Sequence, residues 1–423
     1  MIQQPEIKAI FNHVCGISRE IDIKTQSILN ITQKTRKSLL PWRGQFSPQL
    51  IEYILTVNSQ PGFSILDPFC GSGTTLFESA RLNLSCYGAD INPAAHFFSS
   101  MVIFSRLNHL EREHIRAEII NIVNKKITQE ENNNLMENLL NFYQASQESL
   151  FSYLIASTSI ILAMGNTETT TITKFFKSLN TVLDIVEKLP YSHVSLCSLL
   201  NDARYLNIPV SKVNLIITSP PYINVFNYHQ NYRKALEFLN WQPLQIAASE
   251  IGANRKHRAN RFLTVVQYCM DMCETFLAMR RFLEEAGKVI IVVGRTSSVR
   301  NVQFENSYLL AMVATACTGF KVEKWQERFF TNRFGKKIYE DILTLSVNHE
   351  PHFDYLELAR FIGIWFLQNA KCQDTEVKKD IEQAIASADK VAVSPKLNLQ
   401  IPSTYNKLYQ SFHNQTEKQI LGV

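Results

Sequence analysis

Two kinds of hydrophobic spacing alternate along this chain. Short, largely apolar runs bounded by turn residues occur at Phe63–Asp67, Ser85–Ala89, Val213–Ile217 and Lys288–Val293. Such runs predict strands buried on both faces, the kind that parallel sheets contain. Between them the spacing changes to three and four. Thr74–Leu82 places Leu76, Phe77 and Ala80 on one side, and 262–286 and 307–318 also predict helices. His193–Leu196 predicts a further strand. Phe320–Phe330 and Tyr339–Val347 predict a closing strand pair joined by a basic loop.

The same pattern divides the chain. Residues 1–34 are polar with weak helical periodicity and read as an N-terminal arm. Residues 35–100 read as the first half of an α/β domain. Residues 101–190 are rich in Asn, Glu and Ile, hold almost no Gly or Pro, and read as a helical insertion. The α/β pattern resumes over 191–350, and 351–423 reads as a helical C-terminal extension with a polar tail. Strand, Gly-rich turn, helix, strand and acidic residue follow one another from 63 to 90. That order is the first half of a nucleotide-binding α/β fold.

Composition narrows this picture only slightly. With 423 residues, 45% hydrophobic and 19% charged, the chain can bury a substantial core. A net charge of +5 permits a nucleic-acid partner without requiring one. The eight cysteines are irregularly spaced. Cys269 and Cys273 lie four apart with no second pair, so no metal site is expected and the thiols read as free, in a cytoplasmic setting. The N-terminal residues lack the basic start and apolar run of a secretory signal, and no apolar stretch reaches the roughly 20 residues that span a bilayer, so no membrane association is expected.

The strongest local signal is Asp67-Pro-Phe-Cys-Gly-Ser-Gly-Thr-Thr75. Gly71 and Gly73 let the backbone turn sharply and come close to a ligand, and the following helix presents its N-terminus to it. The turn lacks the third Gly of a dinucleotide site and the Lys of a phosphate loop. Asp90, about 20 residues on, has the spacing of a carboxylate that accepts from ribose hydroxyls. Asp202, in Asn201-Asp-Ala-Arg204, follows a strand and could accept from the amine of an adenine ring.

The second signal is Ser219-Pro220-Pro221-Tyr222, directly after the strand Leu215–Ile217. Two prolines can continue neither a ladder nor a helix, so they fix a rigid loop at the strand's C-terminal end, where ligands bind in open α/β sheets. The Ser219 hydroxyl and the Pro220 carbonyl could accept the two protons of an amine and keep its lone pair aimed at an incoming methyl group, which is catalysis by orientation. Tyr222 offers a flat face for a base taken out of its helix. Basic candidates for phosphate contact are Arg255, Lys256, Arg258 and Arg261, with Arg333, Lys336 and Lys337 as a second group. Tyr228, His229, Tyr232 and Arg233 lie between these and the loop, so 226–262 is a candidate DNA-contacting segment.

With both motifs in place, the chain resembles the DNA amino-methyltransferases of bacterial restriction–modification systems. Those enzymes pair a D-P-F-x-G-S-G-T-T cofactor motif with an [S/D/N]-P-P-[Y/F/W] loop, and the resemblance covers roughly 40–100 and 190–347. It implies a Rossmann-like seven-stranded mixed sheet flanked by helices, and S-adenosylmethionine as cofactor. It implies that Asp67, Pro68, Phe69, Gly71, Gly73 and Thr74 line the cofactor pocket, with Asp90 and Ile91 at the ribose and Asp202 and Ala203 near the adenine. Trp42, Phe46 and Ser47 belong to a segment, Trp42–Pro48, that resembles the family's motif over the methionine end. It further implies double-stranded DNA as substrate, with a cognate restriction nuclease as a possible partner. A Ser heading the loop goes, in such families, with N4 of cytosine, and an Asp with N6 of adenine. The alternatives are an N6-adenine enzyme, an RNA or small-molecule amino-methyltransferase on the same fold, and an inactive DNA-binding relative. Protein glutamine methylation uses a related loop headed by Asn, which Ser219 disfavours.

Overall fold

The computed structural model describes residues 4–21, 23–127, 134–253, 257–331 and 334–409. Its strands are β1 (Ser64–Asp67), β2 (Ser85–Asp90), β3 (Leu196–Leu200), β4 (Val213–Thr218), β5 (Leu283–Gly294), β6 (Thr296–Val299), β7 (Val302–Glu305), β8 (Phe320–Thr331) and β9 (Lys337–Val347). Seven of them form one sheet in the order β3-β2-β1-β4-β5-β9-β8, and β6 and β7 form a separate hairpin. The strands from β3 to β5 run parallel, β9 is antiparallel to β5, and β8 is antiparallel to β9. This is a Rossmann-like seven-stranded mixed sheet flanked by helices, as the resemblance implies.

The helices are α1 (Gln4–Cys15), α2 (Ile23–Leu29), α3 (Pro48–Asn58), α4 (Thr74–Arg81), α5 (Pro93–Ser100), α6 (His109–Lys126), α7 (Leu135–Ala145), α8 (Leu150–Met164), α9 (Ile172–Lys188), α10 (Arg233–Phe238), α11 (Leu263–Phe282), α12 (Asn306–Met312), α13 (Tyr355–Gln368) and α14 (Thr375–Ala386). Strand side chains alternate between faces, and this decides the layers. Ile65, Leu215, Ile217, Ile290 and Val292 pack with α3 to α9. Leu66, Ile216, Val289, Ile291 and Val293 pack with α1 and with α11 to α14. Helix starts follow local chemistry. Asn92 caps α5 by accepting from Ala94 N at 2.8 Å with Pro93 in its first turn, and Asn108 and Glu111 form a reciprocal capping box on α6.

The chain leaves β1 toward β2 and β3 on one side and returns to β4 and β5 on the other. Loops leaving the two strands at such a switch point diverge and open a crevice at their C-terminal ends. β1 runs into Asp67–Gly73 and β4 into Ser219–Tyr222. Two motifs separated by some 150 residues are therefore neighbours by topology, and Thr218 Oγ1 donates to Asp67 Oδ1 at 2.7 Å.

Several elements differ from the sequence expectation. β3 begins at Leu196 rather than His193, and α11 stops at Phe282. Leu283 pairs with Val213 and Lys288 with Leu215, with a bulge between, so the Glu284–Ala286 stretch belongs to β5. The 1–34 segment is no free arm. Val14 is buried, Glu20 N donates to Trp325 O at 2.7 Å, Gln26 Nε2 donates to Glu327 O at 2.9 Å, and Arg19 pairs with Asp341 at 3.4 Å. These contacts cover β8, the outermost strand, whose unpaired edge would otherwise invite association. The β6–β7 hairpin has no counterpart in the sequence reading. After α14 the chain crosses the molecule as an extended strap over 391–402 and ends its described course in a helical turn at 403–409.

Candidate active site

The crevice above β1 and β4 holds a cavity of about 780 Å³, part of it open to solvent. The turn after β1 supplies Pro68, Phe69, Cys70, Gly71 and Thr74, and the end of β2 supplies Asp90 and Ile91. Asp202 and Ala203 come from the turn after β3, Ser219 and Pro221 from the loop after β4, and Trp42–Phe46 from the segment before α3. Gly71 stands at φ 51°, and a Cβ there would come within 2.8 Å of the Trp42 ring, so the turn and the Trp42 segment close on each other only without a side chain. Gly73, at φ 88°, meets something else. Its Cβ would strike Ser99 Cα at 2.8 Å, so this glycine serves the packing of α5 and does not face the cavity.

The acidic groups divide in the same way. Asp67 is 1% exposed and both its oxygens are engaged, by Thr75 Oγ1 at 2.6 Å and by Thr218 Oγ1 with Phe69 N. It ties β1, β4 and α4 together beneath the cavity floor and is not among the lining residues, contrary to the expectation from the motif. Burial pushes its carboxyl up to about 6 against these three hydrogen bonds. Asp90 does line the cavity. It accepts from Gly71 N at 3.0 Å and Asn92 N at 2.9 Å, and burial pushes it up to about 7. Asp202 is held from the far side by Arg204, whose Nε and Nη2 donate to its two oxygens at 3.0 and 2.7 Å. Glu250, which the sequence reading did not single out, lines the same wall. It is buried and accepts from His229 N and from His229 Nδ1. Burial also pushes the Cys70 thiol well up, so it stays protonated beside these acids.

The loop after β4 is clamped at several points. Tyr268 Oη donates to Pro221 O at 2.8 Å, and Asn224 N donates to Gly252 O at 2.8 Å. Beyond it lies a second, wider cavity of about 1870 Å³, part of it open. Its walls include Tyr222 and Phe226, the β8–β9 residues Arg328, Phe329, Phe330, Ile338 and Glu340, and Asn30–Thr32 with Lys34 from the N-terminal segment. Ser219, Gly44, Gln45 and Phe46 line both cavities. Ser219 therefore stands at the junction, and Pro221 lines the first cavity only. Pro220 is buried and outside both linings, and Tyr222 faces only the second cavity.

Other candidates fall elsewhere. Ser47 lines the second cavity and precedes α3 as its cap residue. Tyr228, His229, Tyr232 and Arg233 all make contacts within the molecule. Tyr228 and Tyr232 stack on Trp42 at 6.4 and 6.2 Å, His229 is buried on Glu250, and Arg233 pairs with Glu237 at 2.6 Å. Arg258, Arg261 and Lys336 are exposed. Arg255, Lys256 and Arg333 lie outside the described residues. Among the described residues no three His, Cys, Asp or Glu side chains group as a metal site, and no helix is long and apolar enough to cross a membrane. Neither Glu250 nor the second cavity could be found from local pattern, because both depend on which distant segments the sheet brings together.

Comparison with known proteins finds partial likenesses. Residues 3–98 match the N6/N4 methyltransferase family model, described as DNA methylase. The type II methyltransferase M.MjaII of Methanocaldococcus jannaschii is 34% identical over 85 residues, which is 20% of this chain and 15% of that relative's length. Among solved structures, TrmN from Thermus thermophilus is 13% identical with a TM-score of 0.31, over 72% of this chain and 50% of that one. An S-adenosylmethionine-dependent methyltransferase from Methanosarcina mazei is 11% identical with a TM-score of 0.33, over 70% of this chain and 98% of its own. The likeness thus lies over residues 3–98, which contain Asp67–Thr75 and Asp90 and are similar to the DNA methylase family, and the chain spans only a small part of the length of the curated relative it matches.

Proposed function

We propose that this protein transfers a methyl group from S-adenosylmethionine to the exocyclic amine of a base in double-stranded DNA, with N4 of cytosine as the favoured target. The observation that carries the reading is Ser219, whose place at the junction of two cavities suits a group that must touch donor and acceptor at once. The first cavity fits the cofactor by the chemistry of its walls. Asp90 can accept from ribose hydroxyls, and Asp202 and Glu250 with Asp90 give the pocket an acidic lining suited to a sulfonium ion. Phe69, Ile91, Ala203 and Ile251 offer apolar surface for the adenine, and Trp42–Phe46 covers the methionine end. When bound, the cofactor supplies an electrophilic methyl group.

The chain's own residues do the rest by orientation. The amine's lone pair is delocalised into the base ring, so it becomes a nucleophile only when acceptors hold its protons and rotate the pair out of conjugation. Ser219 Oγ accepts one proton and the Pro220 carbonyl the other, on a loop that two prolines and Tyr268 keep rigid. Tyr222 stacks on the base in the second cavity. No thiolate attack on the ring is needed, and Cys70, held as a thiol, could not provide one readily. Arg258, Arg261 and Lys336, with Arg255, Lys256 and Arg333, contact phosphates. The preference for cytosine rests on the Ser that heads the loop. The halves 35–100 and 191–350 then form one catalytic unit, with 101–190 and 351–423 as its supports. A restriction nuclease acting at the same sites fits this reading as a partner.

Nucleoside mass spectrometry of DNA from a host expressing the protein tests it. N4-methylcytosine is the expected product. N6-methyladenine alone would keep the enzyme class and change the base, and C5-methylcytosine would overturn the mechanism.

A further inference from the structure

The second cavity contains a carboxyl that orientation of the amine does not use. Glu340 on β9 lies directly across from Gly294 on β5 and from Arg328 on β8. Directly opposed residues share a face of the sheet, and here that face is the cavity floor. Because Gly294 has no side chain, the Tyr222 ring lies against β5 at this point. A Cβ on residue 294 would come within 2.8 Å of Tyr222 Cε2. So placed, the Tyr222 hydroxyl donates to Glu340 Oε1 at 3.5 Å. Arg328 stands on the other side, its Nε 3.5 Å from Glu340 Oε2. Arg328 is 5% exposed, and its Nε has no hydrogen-bond acceptor of its own. A phenol and a buried guanidinium thus converge on one carboxyl, in a cavity whose mouth holds Ser219.

We propose that Glu340 takes up, by way of Tyr222, the proton that the target amine releases on methylation. This rests on the amino-methyltransferase reading above. As the amine nitrogen bonds to the methyl carbon, the carbon–sulfur bond breaks with its electron pair on sulfur, and one N–H proton must leave. It passes to Ser219 Oγ while the Ser219 hydroxyl proton passes to Tyr222 Oη and the Tyr222 proton to Glu340 Oε1. The carboxylate ends neutral and both hydroxyls end as they began. A hydroxyl can accept and donate at once, which the relay requires of both residues. Contacts of this kind are often long before substrate closes the site.

The surroundings suit a proton acceptor. Burial raises the Glu340 carboxyl above the usual carboxylate range, with Arg328 and then Tyr222 opposing. A raised carboxylate is the stronger base, and Arg328 keeps it ionised between turnovers. Gly294 brings no charge from β5, and Lys34 lines the same cavity from the N-terminal segment. Asp341, the next residue on β9, pairs instead with Arg295 and Ser307. The relay also gives the phenol hydroxyl of Tyr222 a purpose that a Phe or Trp in its place could not serve.

The test uses the full-length protein, tritiated S-adenosylmethionine and DNA amplified in vitro, which carries no methylated bases. Single-turnover rates are measured across pH for the parent, Glu340→Gln, Tyr222→Phe and the double variant, with cofactor affinity measured by calorimetry. Glu340→Gln should lower the rate at neutral pH by about a hundredfold and flatten the acid limb of the profile, with cofactor affinity unchanged. Tyr222→Phe keeps the stacking ring yet should lose as much, and the double variant no more than either. Parental rates and an unchanged acid limb in Glu340→Gln, or losses that multiply in the double variant, would overturn the relay. Should Glu340→Gln fold poorly by its melting curve, Tyr222→Phe decides alone, since a parental rate there removes the relay. A parent that places no label in DNA would fail the enzyme reading itself, which is distinct from an active parent with unaffected variants.

Discussion

Asp67 and Asp90 end adjacent strands and differ in what their oxygens can still accept. Asp67 is fully engaged by Thr75, Thr218 and Phe69 N, whereas Asp90 spends its two backbone bonds on the turn and faces the cavity. Both carboxyls are raised by burial, to about 6 and about 7. The folded protein therefore binds their protons more tightly than the unfolded chain. Without ligand, stability should fall as pH rises from about 4 to about 7, because folding then buries charge. Cofactor affinity should run the other way, since ribose hydroxyls need an ionised acceptor. We predict that affinity measured by calorimetry rises by up to about tenfold per pH unit below 7 and levels off above it, and that Asp90→Asn flattens this dependence. Parallel slopes in the parent and Asp90→Asn would assign the titration to another group. The two glycines of the turn should also separate. Gly71→Val pushes against Trp42 and should abolish cofactor binding in a protein that still melts cooperatively. Gly73→Val pushes against Ser99 of α5 and should lower the melting temperature first. Equal melting temperatures for the two variants would contradict this division.

At the scale of elements, the sequence was most legible where periodicity and punctuation agree. β1, β2, β4 and the second half of β5 are apolar runs ended by Gly, Asp or Pro, and the helix after Gly73 follows its three-and-four spacing. It was least legible where partners decide. Glu284–Ala286 has helical composition, yet pairing of Leu283 with Val213 draws it into β5. α1 and α2 are polar enough to read as an arm, and only the folded molecule gives them places to dock, α1 against α12 and α13 and α2 against β8. His229 falls in the candidate DNA-contacting segment 226–262, and no local pattern reveals the Glu250 carboxyl against which it is buried. The basic loops test differently. Arg258 and Arg261 before α11 and Lys336 at the β8–β9 turn are exposed on separate elements. If all three meet phosphates, alanine at each should lower the slope of log affinity against log salt by about 0.9, independently of the others. A triple variant with the parental slope would remove these three residues from the proposed DNA contact and leave Lys34 and the N-terminal helices to be tested next.

At the scale of the molecule, one buried side chain joins segments that are far apart in the chain. Arg204 donates to Asp202 on the cavity wall, to Asp271 on α11 at 3.1 Å, to Ser249 O at 3.1 Å, and to Ser394 O and Pro395 O of the strap at 2.6 and 3.0 Å. The strap is pinned further by Ser394 N to Asp271 at 2.7 Å, and its far end by Tyr405 on His96 and Tyr409 on Ser100. Removing one partner from such a network leaves charges buried and unpaired. Arg204→Met should cost about 3–5 kcal/mol in denaturant unfolding and weaken cofactor binding in whatever fraction stays folded. Asp271→Asn, which keeps a hydrogen-bond acceptor, should cost less, and equal costs would mean that packing rather than charge holds the site. The strap also sets a schedule. Ser394 follows Arg204 by 190 residues, which a ribosome takes roughly 10–40 seconds to add at about 5–20 residues per second. Throughout that interval the strap carbonyls that complete the Arg204 network do not exist. A growing chain that has already made its parallel strands cannot close the wall behind Asp202 until the strap has been made and laid down, so the cavity is completed only late in synthesis.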